Sequence, residues 1–174
     1  YGAGVAYRII DQRVTFQYMP YVPYISQAEM PREWDPDLDL RGAYLVPAEV
    51  ESGQAYWRLV KAVWYAENEP PFEGQHHILI DTLDADGLRQ PGVPVAIYAE
   101  SSGELITTVT TEAKPGELYS ANFPMWTVAP SYAAQPASGV PADLVGGMGM
   151  GSIDQPKYTI HTSYGLVWRW TVAP

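Results

Sequence analysis

The sequence predicts an all-β protein, an antiparallel β-sandwich preceded by an extended Pro/Tyr-rich N-terminal arm. Three observations carry this. Long runs of aromatic and β-branched residues occur at Tyr56–Ala66, Gln75–Leu83, Val93–Tyr98 and Tyr158–Val172. These runs are punctuated by turn residues, with 16 Pro and 15 Gly in 174 residues. No stretch sustains a helical period long enough to compete. The length suits one domain with a real core. Residues 1–54 read as the arm with a short strand, and residues 55–174 as the sandwich.

Arg13–Tyr18 alternates Val14, Phe16 and Tyr18 against Thr15 and Gln17, the pattern of a half-buried strand. Pro20, Pro23 and Pro31 then each fix φ and remove a backbone donor, so this segment reads as extended and unsuited to a central strand. Asp35, Asp37 and Asp39 alternate as in a calcium loop. The sixth position is Leu40 instead of Gly and the twelfth is Val46 instead of Glu, so a polar turn anchored by Trp34 and Leu38 is expected. Ala43–Val46 reads as one more short strand.

Tyr56–Ala66 is apolar on both parities, as in a strand covered on both faces, and Pro70-Pro71 ends it. Gln75–Leu83 closes at the acidic turn Leu83–Gly87. Val93–Tyr98 and Leu105–Thr111 flank Glu100–Gly103 as a hairpin with a Thr-rich, solvated face. Asn122–Trp126 reads as an edge segment. Gly146–Gly151 (GGMGMG) lacks the Lys-Ser/Thr ending and following helix of a phosphate loop, and reads as a flexible loop or hairpin tip. Tyr158–Val172 places Tyr164, Leu166, Trp168 and Trp170 on one parity. Trp57, Val60, Val63, Ile78, Ile80, Val95, Leu166 and Trp168 are the expected core.

The order of Trp57, His76-His77-Ile78, Leu83-Asp84-x-Asp86-Gly87, Asn122-Phe123-Pro124-Met125 and His161-x-Ser163-Tyr164 resembles that of Ig-like or prealbumin-like β-sandwich modules. Such modules occur in secreted bacterial proteins, often attached to peptidoglycan or polysaccharide hydrolases. The resemblance covers about residues 55–174 and implies an accessory role. Residues 1–54 are expected to stand where the catalytic domain of such proteins would be.

Twenty acidic against ten basic side chains give a formal charge of -10, which repels nucleic acid and anionic membrane surfaces. No apolar run approaches the ~20 residues that span a bilayer. Absence of cysteine excludes thiolate metal sites, disulfides and cysteine nucleophiles. The chain opens on Tyr1, as a processed secreted protein does, and an extracellular or cell-surface location is expected. Thirteen Tyr and six Trp against three Phe favour interfaces over chemistry.

His76, His77 and His161 are the only histidines. Adjacent strand positions face opposite ways, so a regular strand would bring only one of His76 and His77 to a metal site with His161 and Asp81 or Glu73. Histidines satisfied under a loop are the favoured alternative, and no metal or cofactor is expected. Glu67, Glu69, Glu73 and Asp81 could be paired for glycoside hydrolysis, yet such a loop reads as a solvated surface. The expectation is no enzyme but a structural subunit that associates with copies of itself. Its self-association arm would use Phe16, Tyr18, Tyr21, Tyr24, Ile25 and Trp34. The alternative is a carbohydrate-binding module with Trp64, Tyr98, Trp126 and Tyr132 as stacking platforms for a polysaccharide.

Overall fold

A computed structural model describes residues 31–174, together with the backbone of two strands before them. Those strands, β1 (Val5–Ile10) and β2 (Arg13–Tyr18), pair antiparallel from Val5↔Tyr18 to Ile10↔Arg13. The expected strand at Arg13–Tyr18 is therefore present, with a partner that the sequence did not mark.

The remaining strands form two five-stranded sheets. One sheet contains β4 (Tyr44–Val46), β11 (Leu144–Met148), β10 (Tyr132–Pro136), β7 (Pro94–Ala99) and β8 (Leu105–Thr110), in that order. The other contains β3 (Glu33–Trp34), β5 (Ala55–Tyr65), β12 (Ser163–Val172), β6 (His77–Leu83) and β9 (Ala121–Pro124). Both contribute to one apolar core, with Trp57, Leu59, Ile78, Ile80, Leu166 and Trp168 from the second sheet against Val95, Ile97, Ala134, Val145 and Met148 from the first. Face-to-face burial of alternating residues is what makes this a sandwich. The pairing is antiparallel except at β12–β6 and β3–β5, which run parallel.

Register explains why β5 looked apolar on both parities. Lys61 pairs with Val167 and Leu59 with Trp168, leaving Val60 as an extra residue in a β-bulge. Below the bulge Trp57 and Leu59 face the core; above it Ala62 and Trp64 do. Val60 and Val63, expected in the core, are only half-buried for this reason. Along β12 no such switch occurs: Leu166 and Trp168 are buried as expected, and Tyr164 on the same parity is buried with them. Trp170 extends the row by meeting Trp57 edge-on at 5.3 Å.

Residues 31–46 belong to the sandwich and not to an arm. β3 pairs with β5 and β4 with β11. Between them a short helix, α1 (Pro36–Leu40), replaces the expected polar turn. Asp35 caps it by accepting from Asp37 N, and its other carboxylate oxygen accepts from Trp64 N. Leu38 is wholly buried and Trp34 donates its Nε1–H to Asp39, so both are local anchors.

One buried carboxylate ties this region to both sheets. Asp143 is wholly inaccessible, and its carboxylate accepts from Ala48 N at 2.8 Å, Leu59 N at 2.9 Å and the Arg32 guanidinium at 2.8 Å. Its backbone carbonyl accepts from Trp168 Nε1, and its N–H donates to Trp57 O. Every buried polar atom of this residue thus has a partner, as burial requires.

The glycine-rich segment is also structural. Gly146, Gly147 and Met148 lie in β11 and are buried, which corrects the expectation of a flexible loop. At Gly147 φ is +78°, and a Cβ would sit 2.2 Å from Gly42 O. Only glycine fits there.

Candidate functional site

His76 and His77, which strand alternation was expected to place on opposite faces, come together with His161. β6 begins at His77, so His76 lies before it and escapes the alternation rule; its backbone carbonyl accepts from Met125 N. Its ring stacks on His77 at 5.3 Å and 9° and meets His161 at 4.6 Å and Trp126 edge-on at 5.4 Å. His161 donates through Nδ1 to Gly74 O at 2.9 Å. Burial pushes the His76 imidazole below its usual range, with a further push from His161. Burial, then the neighbouring His76, does the same to His77. At His76 and His77 the surroundings therefore favour the neutral ring.

A metal site is a different arrangement. Stacked imidazoles present faces to one another, whereas ligands converge their nitrogens on a point. Asp81, one of the two carboxylates (with Glu73) considered for such a site, is held elsewhere by Arg89 in a two-pronged ion pair. Among the described residues no group of three or more His, Cys, Asp or Glu side chains is disposed to hold a metal ion. Glu69, one of the acids considered for glycoside hydrolysis, caps the strand end at Ala66 N instead.

The expected sugar platforms are dispersed. Trp64 and Tyr132 are buried in the core and offer no free ring face. Tyr98 is half-buried and its hydroxyl accepts from Gln135. It lines a hollow of about 400 Å3 with Tyr44, whose hydroxyl donates to Glu100. That hydrogen bond to a carboxylate holds the Tyr44 phenol above its ordinary pKa. Trp126 alone is well exposed, at 68%. Of the expected association residues, the side chains of Phe16, Tyr18, Tyr21, Tyr24 and Ile25 lie outside the described residues. Trp34 is packed against the core, so it is not part of an extended arm.

A different feature stands out at the first sheet's edge. β8 ends the strand order with no strand beyond it among the described residues. It pairs with β7 from Leu105↔Tyr98 to Thr110↔Pro94, with Ile106 unpaired at a bulge. Its sequence, LITTVT, carries no charge and no proline. Leu105 is 57% and Ile106 45% exposed. Natural sheets blunt such edges with Lys, Pro, a bulge or a covering loop; within this strand the bulge at Ile106 is the one such device. The Thr-rich character was legible in sequence, but which strand closes the sheet was not.

No described helix is long and apolar enough to cross a membrane. No family model matches the chain, and the searches of curated proteins and solved structures likewise give no match.

Proposed function

We propose that the protein is an extracellular structural subunit, an Ig-like or prealbumin-like sandwich, that associates with copies of itself by strand addition. The N-terminal arm of one copy pairs with β8 of the next. The observation that carries this reading is the uncharged, proline-free edge at Leu105–Thr110 with exposed Leu105 and Ile106. An added strand satisfies the edge's outward backbone groups and covers its apolar side chains. In the arm, the stretch between Pro23 and Pro31 has a donor at every residue and carries Tyr24 and Ile25. Arm and edge are different surfaces, so the contact is heterologous, and repeated without closure it builds a filament.

Negative-stain electron microscopy with sedimentation velocity tests this on three proteins: the full chain, a version starting at Pro31, and the full chain with Thr108→Lys. Polymers from the unaltered full chain alone support the reading. Discrete particles of one mass per subunit from all three refute it.

A second reading, a carbohydrate-binding module, is favoured by one observation: a cleft of about 630 Å3 lined by Phe72, Gln75, Tyr119 and Asn122.

A further inference from the structure

The outer face of the second sheet is roofed by two loops, residues 66–76 and 113–119, and between them lies a cleft of about 630 Å3. That volume falls within the ~300–1,000 Å3 range of small-molecule sites. Leu79 of β6 forms part of its lining, and Phe72 and Tyr119 contribute aromatic rings.

The rings are held in place from beneath. Tyr65 and Tyr119 hydroxyls lie 2.9 Å apart, and Phe72 meets Tyr65 edge-on at 4.8 Å and Tyr119 at 5.7 Å. Tyr119 lies close over Gly165, where a Cβ would come within 2.0 Å of its hydroxyl oxygen. Arg89 secures the second loop from the inside. While paired to Asp81 it donates to the carbonyls of Lys114 at 2.7 Å, Glu117 at 2.8 Å and Leu118 at 3.0 Å. The first loop is closed by Gly74 N donating to Glu67 O at 2.7 Å and is held at Gly74 O by His161. A ligand entering here meets walls that are already ordered, which lowers the entropy lost on binding.

Two amides complete the lining. Gln75 and Asn122 border the cleft, and neither side chain bonds to another described residue. Each therefore keeps donors and an acceptor for a ligand. The charged groups at the cleft, Lys114 and Glu117, have opposite signs, and Lys114 also pairs with Glu112 at 3.5 Å. Nothing here favours an anion, and the net charge of -10 opposes one. Aromatic rings for C–H surfaces, amides for hydroxyls and charges of both signs together suit an uncharged sugar.

We infer that the cleft bounded by Phe72, Gln75, Tyr119 and Asn122 binds a neutral glycan chain. This rests on the second reading above and is independent of self-association. The test titrates the full chain with cellohexaose, xylohexaose, mannohexaose and chitohexaose, and with an oligogalacturonate as the charged counterpart. Backbone amide NMR shifts and calorimetry are read together.

Saturable binding of a neutral hexasaccharide, with shifts confined to residues 71–75 and 114–122, is expected. Phe72→Ala should weaken it about tenfold or more, and Asn122→Ala about two- to tenfold, the effect of one hydrogen bond. Asn122 is exposed, so its variant keeps the test alive should Phe72→Ala unfold. Binding lost with Trp126→Ala but kept in both cleft variants overturns the cleft while leaving a carbohydrate module standing. Preference for the oligogalacturonate overturns the neutral-glycan assignment. No binding by any probe overturns both.

Discussion

Replacing Asp143 with Ala removes the acceptor for two backbone amides and a guanidinium at once. Leu59 N is buried, and an orphaned buried donor costs about 1–3 kcal/mol. Breaking a buried ion pair by deleting one partner costs about 3–5 kcal/mol, and here the Arg32 side chain is 28% exposed, so water recovers part of its solvation. The two ranges overlap because the same carboxylate makes every bond, and a total of about 3–5 kcal/mol is expected. For a chain of this size that lowers Tm by about 6–20 °C. Asp143→Asn keeps the shape but turns an NH2 toward donors, so it should lose about 2 kcal/mol. Urea unfolding followed by tryptophan fluorescence measures both, with Asp154→Ala, at an exposed position, as a control within about 0.5 kcal/mol. A loss below about 1 kcal/mol for Asp143→Ala, at unchanged m, would refute the view that this carboxylate joins residues 32–59 to the core.

Other outcomes follow from the same geometry. Arg89→Ala leaves the Asp81 carboxylate buried without its partner and frees three carbonyls, so hydrogen exchange across residues 113–119 should accelerate at least tenfold; unchanged protection would show that the loop is held otherwise. Gly147→Ala should lower stability by about 2–4 kcal/mol and more than Gly165→Ala, because it meets backbone at positive φ while the latter displaces a tyrosine side chain; the reverse order in thermal unfolding would overturn this. His76 and His77 hold folded pKa values below the imidazole reference of 6.5, chiefly through burial. The unfolded chain then binds protons first on acidification, so the stability these rings contribute is full above about pH 6.5 and is lost as pH falls through their folded values. Tm should drop between pH 7 and 5, and His76→Gln with His77→Gln should flatten that drop; an equal slope in the variant would exclude the cluster as its source.

Strand identity was legible where large side chains alternate without interruption, as along Tyr164, Leu166 and Trp168. It was blurred in β5, where the bulge at Val60 moves the inward row from odd to even residues and imitates a strand buried on both faces. β10 and β11 were missed because YAAQP and LVGGM lack the β-branched bulk that marks a strand. In β11 the reason for the small residues is three-dimensional: the Tyr44 ring crosses Gly146 and the Gly42 carbonyl abuts Gly147. Residues 31–46 read as arm because their partners, β5 and β11, are distant in sequence. Asp143 carried no local mark, since its role depends on Arg32, Ala48 and Leu59 converging on it. The histidine cluster was misjudged by one residue, the difference between His76 inside a strand and just before it.

The position of β12 between β5 and β6 has a consequence for synthesis. A ribosome delivers the chain from the N-terminus, so β5 and β6 emerge long before the strand that must lie between them. Until residues 163–172 are free, neither has its neighbour and the second sheet cannot zip in order of translation. Closing it requires contacts far apart in sequence, which slows folding. During that interval the waiting gap fits the β12 of any nascent sister chain as well as its own. Dilution during translation is the condition that favours each chain filling that gap with its own β12.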